Sequence, residues 1–178
     1  MRTITKRELQ EILENHELWL DSEGQEGRRA DFSEIDLSGV DLRGADLIGV
    51  NLGGTDLYGA DLSDANLTGA NISDSDLSDA NLCDANLCAV DLSGTDLQGA
   101  NLSWANLSEA DLRGTGFSWT DLCGANFVKA NLSFADFTFA DLREANLKVA
   151  TAKGCWIYKA KFSSPKDKAR LLMLGAKE

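Results

Sequence analysis

The stretch Ala60-Asp61-Leu62-Ser63-Asp64-Ala65-Asn66-Leu67-Thr68-Gly69-Ala70-Asn71-Ile72 decides the fold: a large apolar residue returns at every fifth position, each time preceded by Asp or Asn. Followed in both directions, the period holds unbroken from Phe32 to Leu147 through 24 centres, 23 of them preceded by Asp or Asn. With the centre at i, position i−2 is Ala 15 times, Thr four times and Val three times, and Ile35 and Ser75 supply the rest. Side chains alternate along an extended segment, so i−2 and i point inward and i−1 points outward. Positions i+1 and i+2 are left to turn the chain. The ten glycines at i+2 suit a type II turn, whose second central residue takes positive φ. Units that present one large and one small apolar residue cannot bury them alone, and so they stack. The pattern predicts an all-β solenoid with an inner column of Leu and Phe flanked by Ala.

The repeat resembles the pentapeptide-repeat family, whose consensus A(D/N)LXX stands here as Ala45-Asp46-Leu47, Ala65-Asn66-Leu67, Ala80-Asn81-Leu82 and Ala105-Asn106-Leu107. The resemblance implies a right-handed quadrilateral β-helix with four pentapeptides, or 20 residues, per coil. The frame runs on in degenerate form through Ala152, Ile157 and Phe162, which makes about seven coils and a rod roughly 30–35 Å long at β-strand spacing. The expected organisation is a capping helix and loop over residues 1–29, the β-helix over 30–163 and a C-terminal helix over 164–178, all within one domain.

The N-terminal flank reads as a helix from Thr5 to about Leu20. Thr5 and Glu8 form a capping-box pattern, and Leu9, Ile12, Leu13, His16 and Leu20 fall at helical spacing. It is expected either to cap the first coil, which otherwise exposes unpaired backbone, or to dock on a partner. His16, the one histidine, reads as a helix-face residue. In the C-terminal flank, Ser164-Pro165 starts a helix that carries Leu171, Leu172, Met173 and Leu174. Those four residues either cap the last coil or meet a second copy. The second option resembles the C-terminal dimers of the family's quinolone-resistance members.

Composition narrows the function class. No 18-residue apolar run and no signal-peptide core exist, so a cytoplasmic protein without membrane contact is expected. Cys83, Cys88 and Cys123 stand at outward i+1 positions and Cys155 at an inward i−2 position. They match no zinc spacing, so neither metal nor cofactor is expected. With one histidine, no phosphate loop and an interior filled by its own side chains, the chain reads as a non-enzyme. The net charge of −12 opposes direct nucleic-acid binding. Residues 1–29 carry −2, residues 30–149 carry −15 and residues 150–178 carry +5. The acidity therefore belongs to the rod.

Laid out on a 20-residue coil, the side through Leu37, Leu57, Leu77, Leu97, Phe117 and Phe137 carries −6 and no basic residue. Its i−1 ladder is Asp36, Asp56, Asp76, Asp96 and Asp136, interrupted by Gly116. The side beginning at Leu47 is neutral, with Asp46 followed by Asn66, Asn86, Asn106, Asn126 and Asn146. Stacked carboxylates repel, whereas stacked Asn side chains hydrogen-bond. The Asp ladder is therefore a candidate partner-binding surface, against the plainer reading that Asp bonds locally and keeps the rod soluble. Trp104, Trp119 and Phe134, each 15 residues after the last, with Phe139 one coil above Trp119, form a candidate aromatic interface unless neighbouring turns or the C-terminal helix cover them. Two functions follow as expectations. One is a rigid acidic rod that binds another, unidentified protein. The other, implied by the quinolone-resistance subgroup, is inhibition or protection of a type II topoisomerase, DNA gyrase, by imitation of DNA charge.

Overall fold

The computed structural model describes residues 1–178. Outward i−1 residues pair in parallel with their counterparts 20 positions on, from Asp31↔Asn51 up to Asp136↔Trp156, so each coil has four five-residue sides. Backbone bonds tie successive coils together at every side. On one side Leu57 N–H donates to Asp76 O (2.7 Å), Gly59 N–H to Ser78 O (2.9 Å) and Asp76 N–H to Thr55 O (3.1 Å). A corner follows each pairing, closed within the coil by bonds such as Ala60 N–H to Leu57 O (2.9 Å). Because the chain bends after every rung, most of the sheet consists of single bridges, not long strands.

Every corner takes its second central residue into the left-handed region. Gly59 does so at φ 62°, and Asp64 (59°), Trp104 (62°), Trp119 (63°) and Phe134 (65°) follow although they carry side chains. Left-handed backbone costs a non-glycine residue roughly 1–2 kcal/mol. The coil-to-coil bonds hold it there, as when Trp104 N–H donates to Cys123 O (2.9 Å). The corner side chains lean toward the following coil. Glu34, Asp74, Asp79, Trp104 and Phe134 each lie against a glycine 20 residues on, at Gly54, Gly94, Gly99, Gly124 and Gly154.

The inner columns are closed to water, with Leu47, Leu52, Leu57, Leu62 and Leu67 fully buried. In the upper coils Phe117 stacks on Phe137 at 4.9 Å, and both meet Phe127 edge-on. Inward hydroxyls on the Leu37 side are satisfied by the coil below. Thr55 donates to Phe32 O, Ser75 to Leu52 O and Thr95 to Ile72 O, each at 2.7 Å, and Thr115 donates to Leu92 O at 2.8 Å. The Cys155 thiol is buried in the last coil, and burial pushes it up to about 11.

Both ends are covered. Strand β1 (Arg2–Thr3) leads into helix α1 (Lys6–Asp21), and β1 pairs in parallel with β2 (Ile35–Asp36). Thr5 is the N-cap of α1, and the capping box is complete: Glu8 N–H donates to Thr5 Oγ1 (3.2 Å) and Thr5 N–H to Glu8 Oε2 (2.8 Å). Leu9, Ile12 and Leu13 pack on the core of the first coil. His16 is fully buried. Its Nδ1 accepts the Ala30 N–H (3.2 Å), its Nε2 has no partner, and Trp19 stacks on the ring at 5.7 Å. His16 thus lies on the packed face of α1, where it joins the cap to the rod.

At the other end β3 (Asp141–Leu142) pairs with β4 (Lys161–Phe162), and helix α2 follows over Pro165–Met173. The expected helix over 164–178 is thus shorter. After Met173 the chain turns through Gly175 (φ 97°) and lies back along the last coil, where Lys177 pairs with Trp156. Ile157 N–H donates to Lys177 O (2.8 Å) and Lys177 N–H to Cys155 O (2.7 Å). The two chain ends therefore extend the same side of the rod, the one bearing the Asp ladder.

Two outcomes follow. Burial lowers the pKa of His16 from 6.5; Asp46 opposes that shift and Arg29 adds to it. The unfolded chain then takes the proton first, so stability is fully present above about pH 7 and falls as pH drops below 6.5. A denaturant series from about pH 5 to 7.5 should show this slope and lose it in His16→Leu, because no other side chain titrates there at its ordinary value. Second, Gly124→Ala should destabilise by roughly 1–3 kcal/mol more than Gly114→Ala. Their φ values are alike (72° and 68°), but a Cβ at Gly124 strikes the Trp104 ring and one at Gly114 meets nothing; thermal melts of the two variants compare them directly.

Candidate interaction surfaces

The i−1 carboxylates and amides first serve their own corner. Each accepts the N–H two residues on, as in Ser38 to Asp36 (3.0 Å), Tyr58 to Asp56 (3.0 Å) and Ser108 to Asn106 (3.2 Å). This local turn explains why Asp and Asn both satisfy the repeat. What distinguishes the sides is the contact between coils.

On the neutral Leu47 side the amides chain together. Asn86 donates to Asn66 (3.3 Å), Asn106 to Asn86 (3.0 Å), Asn126 to Asn106 (3.1 Å) and Asn146 to Asn126 (3.3 Å). On the side beginning at Leu42 three of the four acids, all but Asp121, are paired with cations. Arg43 bonds Asp41 at 2.7 Å and approaches Asp61 at 3.8 Å, while Arg143 and Lys161 meet Asp141 at 2.7 and 3.6 Å. The Arg43 side chain holds the Asp41 carboxyl at about 2.

The Leu37 side has neither device. Asp36, Asp56, Asp76, Asp96 and Asp136 form no ion pair and no amide bond between coils. A carboxylate has no N–H to donate along a ladder, so stacked Asp side chains gain nothing from one another. The interruption at Gly116 is not imposed by the backbone: the position pairs with Asp96 and Asp136 in extended geometry, and a Cβ there would meet Asp96 Oδ1 at an ordinary 3.4 Å.

The aromatics occupy three different corners. Phe134 (63% exposed) and Trp119 (62% exposed) border the acidic side on its two edges, and Trp104 lies one corner further round. Trp119 stacks on Phe139 at 4.1 Å, and Phe139 meets Tyr158 edge-on at 5.7 Å. Lys159 Nζ caps this column, 5.1 Å from the Phe139 ring and 5.2 Å from the Tyr158 ring. The structure thus joins Trp119 and Phe139 and leaves Trp104 and Phe134 apart. Helix α2 covers none of the three exposed rings. Tyr158 and Lys159 lie outside the regular repeat, but the 20-residue step from Trp119 to Phe139 to Lys159 places Lys159 in the column, and Tyr158 joins it as the residue before.

The four apolar residues of the C-terminal flank also divide. Leu171 is buried in the core and caps it, while Leu172 and Leu174 are exposed and Met173 is 88% exposed. No group of three or more His, Cys, Asp or Glu is arranged to hold a metal ion, and no helix is long and apolar enough to cross a membrane.

A four-sided parallel solenoid with outward Asp and Asn rungs defines a class of repeat protein, the right-handed β-helices built from five-residue units. The chain belongs to the pentapeptide-repeat family, whose model matches residues 28–64, 65–103, 75–114 and 105–148 in eight copies. Among solved structures it is similar to HetL, a pentapeptide repeat protein involved in heterocyst differentiation regulation in the cyanobacterium Nostoc sp. strain PCC 7120. The two share 33% identity over 74% of this chain and 70% of that one, with a TM-score of 0.53. It is also similar to QnrB1, a plasmid-mediated fluoroquinolone resistance protein, at 22% identity over 80% of this chain and 84% of that one, with a TM-score of 0.38. A pentapeptide repeat protein of the Arabidopsis thaliana thylakoid lumen aligns at 26% identity over 78% and 80%, with a TM-score of 0.30. No curated protein sequence matches this chain.

The ladders predict a stability difference. Asn51 already donates to Asp31 below it (2.9 Å) and Asn81 to Asp61 (3.1 Å), so an amide above an acid is an accommodated pair. Asp76→Asn keeps the acceptor for Ser78 N–H, adds such a bond to Asp56 and removes a repulsion. It should raise stability by about 0.5–1.5 kcal/mol. Asn86→Asp, which removes bonds to Asn66 and Thr68, should lower it in the same melting assay.

Proposed function

We propose that this protein is a non-enzymatic interaction module, a rigid acidic rod that binds another protein along its Leu37 side. One observation carries the reading: all five acids of the ladder Asp36, Asp56, Asp76, Asp96 and Asp136 are left without a cation or an amide, while each other side leaves a single acid so, Asp46, Asp91 or Asp121, and bonds or pairs the rest of its acids. A stabilising residue, Asn, is available at each of these rungs and is used elsewhere in the same coil. Stability forgone on one surface fits a surface kept for binding. The full complement of carboxylates favours a partner with a basic face, and their exposure makes association dependent on salt. The exposed Leu172, Met173 and Leu174 supply a surface for a second copy at the C-terminal end.

A second reading rests on the same ladder: its charge imitates a DNA backbone and occupies the DNA-binding groove of a type II topoisomerase such as gyrase. The QnrB1 likeness, confined to fold at these values, lends it no weight.

One triple variant, Asp56→Asn with Asp76→Asn and Asp96→Asn, tests both. Immobilised parent should retain a basic partner that salt elutes and that the folded variant fails to hold. A partner held equally by both moves recognition off the ladder. In a gyrase supercoiling assay with and without a quinolone, inhibition or drug protection by the parent and not by the variant selects the DNA-like reading, and no effect of the parent removes it.

A further inference from the structure

The corner between the Leu37 and Leu42 sides carries, in rising order, Asp79, Gly99, Trp119, Phe139 and Lys159. Corner side chains lean toward the following coil, so the Asp79 carboxylate lies over Gly99. Apart from that carboxylate, nothing comes within 4 Å of the Cβ that Gly99 lacks. Trp119, one coil higher, leans away toward Phe139, which covers its upper face at 4.1 Å. Its lower face is left open. The result is an open gap with a carboxylate below and an indole above. The Asp79 and Trp119 backbones are two rungs, or roughly 9–10 Å, apart. Asp96, another acid without an ion pair, stands on the same pentapeptide as Gly99.

The chemistry of such a gap is narrow. An indole face attracts cations through its quadrupole, and a carboxylate opposite adds charge and hydrogen-bond acceptors. The column already does this once with the protein's own residue: Lys159 Nζ sits 5.1 Å from the Phe139 ring. An ammonium is a compact point charge, whereas a guanidinium is planar, stacks on an aromatic face and donates from its edges. An open indole face with a carboxylate beneath suits the second, whose plane stacks on the ring while its charge faces the acid.

We propose that the gap above Gly99 takes an arginine side chain presented by a basic segment of a partner protein, with Trp119 stacked on the guanidinium and the Asp79 carboxylate attracting its charge from below. This rests on the reading of the chain as an interaction module and names the kind of residue that it recognises. Asp74 supplies an internal control. It leans over Gly94 in the same way, but the next residue up its corner is Gly114, so no ring closes the gap.

The test is an NMR titration of 15N-labelled protein with the peptide acetyl-Gly-Arg-Arg-Gly-amide and its lysine counterpart, following the Trp119 indole N–H. The expected result is a saturable Trp119 shift, tighter for arginine than for lysine. Affinity should fall roughly fivefold or more in Asp79→Asn, the loss of about one kcal/mol of a charged contact, and stay unchanged in Asp74→Asn. Calorimetry with Trp119→Leu should show the same loss, and an unchanged amide spectrum elsewhere certifies its fold. A Trp119 signal that does not move at millimolar peptide overturns the proposal. So does an equal weakening by Asp79→Asn and Asp74→Asn, which marks diffuse charge attraction only. Shifts along Asp36, Asp56, Asp76 and Asp96 without Trp119 also overturn it, yet leave the interaction reading standing.

Discussion

The structure depends on the backbone bonds between coils. Each five-residue side makes three, and each also fixes the height of the next rung, so outward side chains fall into straight columns at one repeat distance. Everything of interest on the surface follows from that alignment: amides close enough to chain, acids close enough to repel, rings close enough to stack. The same bonds hold bulky residues at left-handed corners where they would not go unaided. A column built this way must stop somewhere, and an open end is a template for unwanted pairing. Here helix α1 and a two-residue strand close one end, while α2 and the returning chain around Lys177 close the other.

Much of this was legible in the residues. The unbroken five-residue period announces inward Leu and Ala, outward Asp and Asn, and a corner after each; the glycines at i+2 disclose its positive φ. The Asn ladder could be read because a 20-residue coil puts Asn66, Asn86 and Asn106 in line. Less was legible where local patterning is short. Two-residue strands such as Arg2–Thr3 have no periodicity to read. Helix α2 stops at Met173 because the last residues gain more by bonding to Cys155 and Ile157 than by extending it, a tertiary effect that propensity does not contain. His16 was rightly placed on the apolar helix stripe, but a polar residue there gives no sign of the backbone N–H, here that of Ala30, that it meets.

The candidate surface was half visible. The Asp ladder and the aromatic positions follow from counting, but their relation does not. Counting treats Trp104, Trp119 and Phe134 as one diagonal stripe; the corners separate them, and only Trp119 joins Phe139 in a stack. The decisive fact is the tilt of corner side chains, which determines whether a given glycine is covered or left vacant. Gly124 is filled by the Trp104 ring, whereas Gly114 is empty. Composition cannot tell these glycines apart.

That tilt also gives the rod a grain. A corner side chain rests on the level above it and not on the level below, so each corner contact joins one residue to the position 20 further on, with the side chains leaning toward the C-terminal end. Trp104 decides what Gly124 is permitted to become, whereas Asp84, which stands two levels below Gly124, has no contact with it. Because each contact joins a residue to the one 20 positions on, duplication of a whole coil would preserve every corner relation except those between the two copies, so lengthening such a molecule creates one new seam and not two.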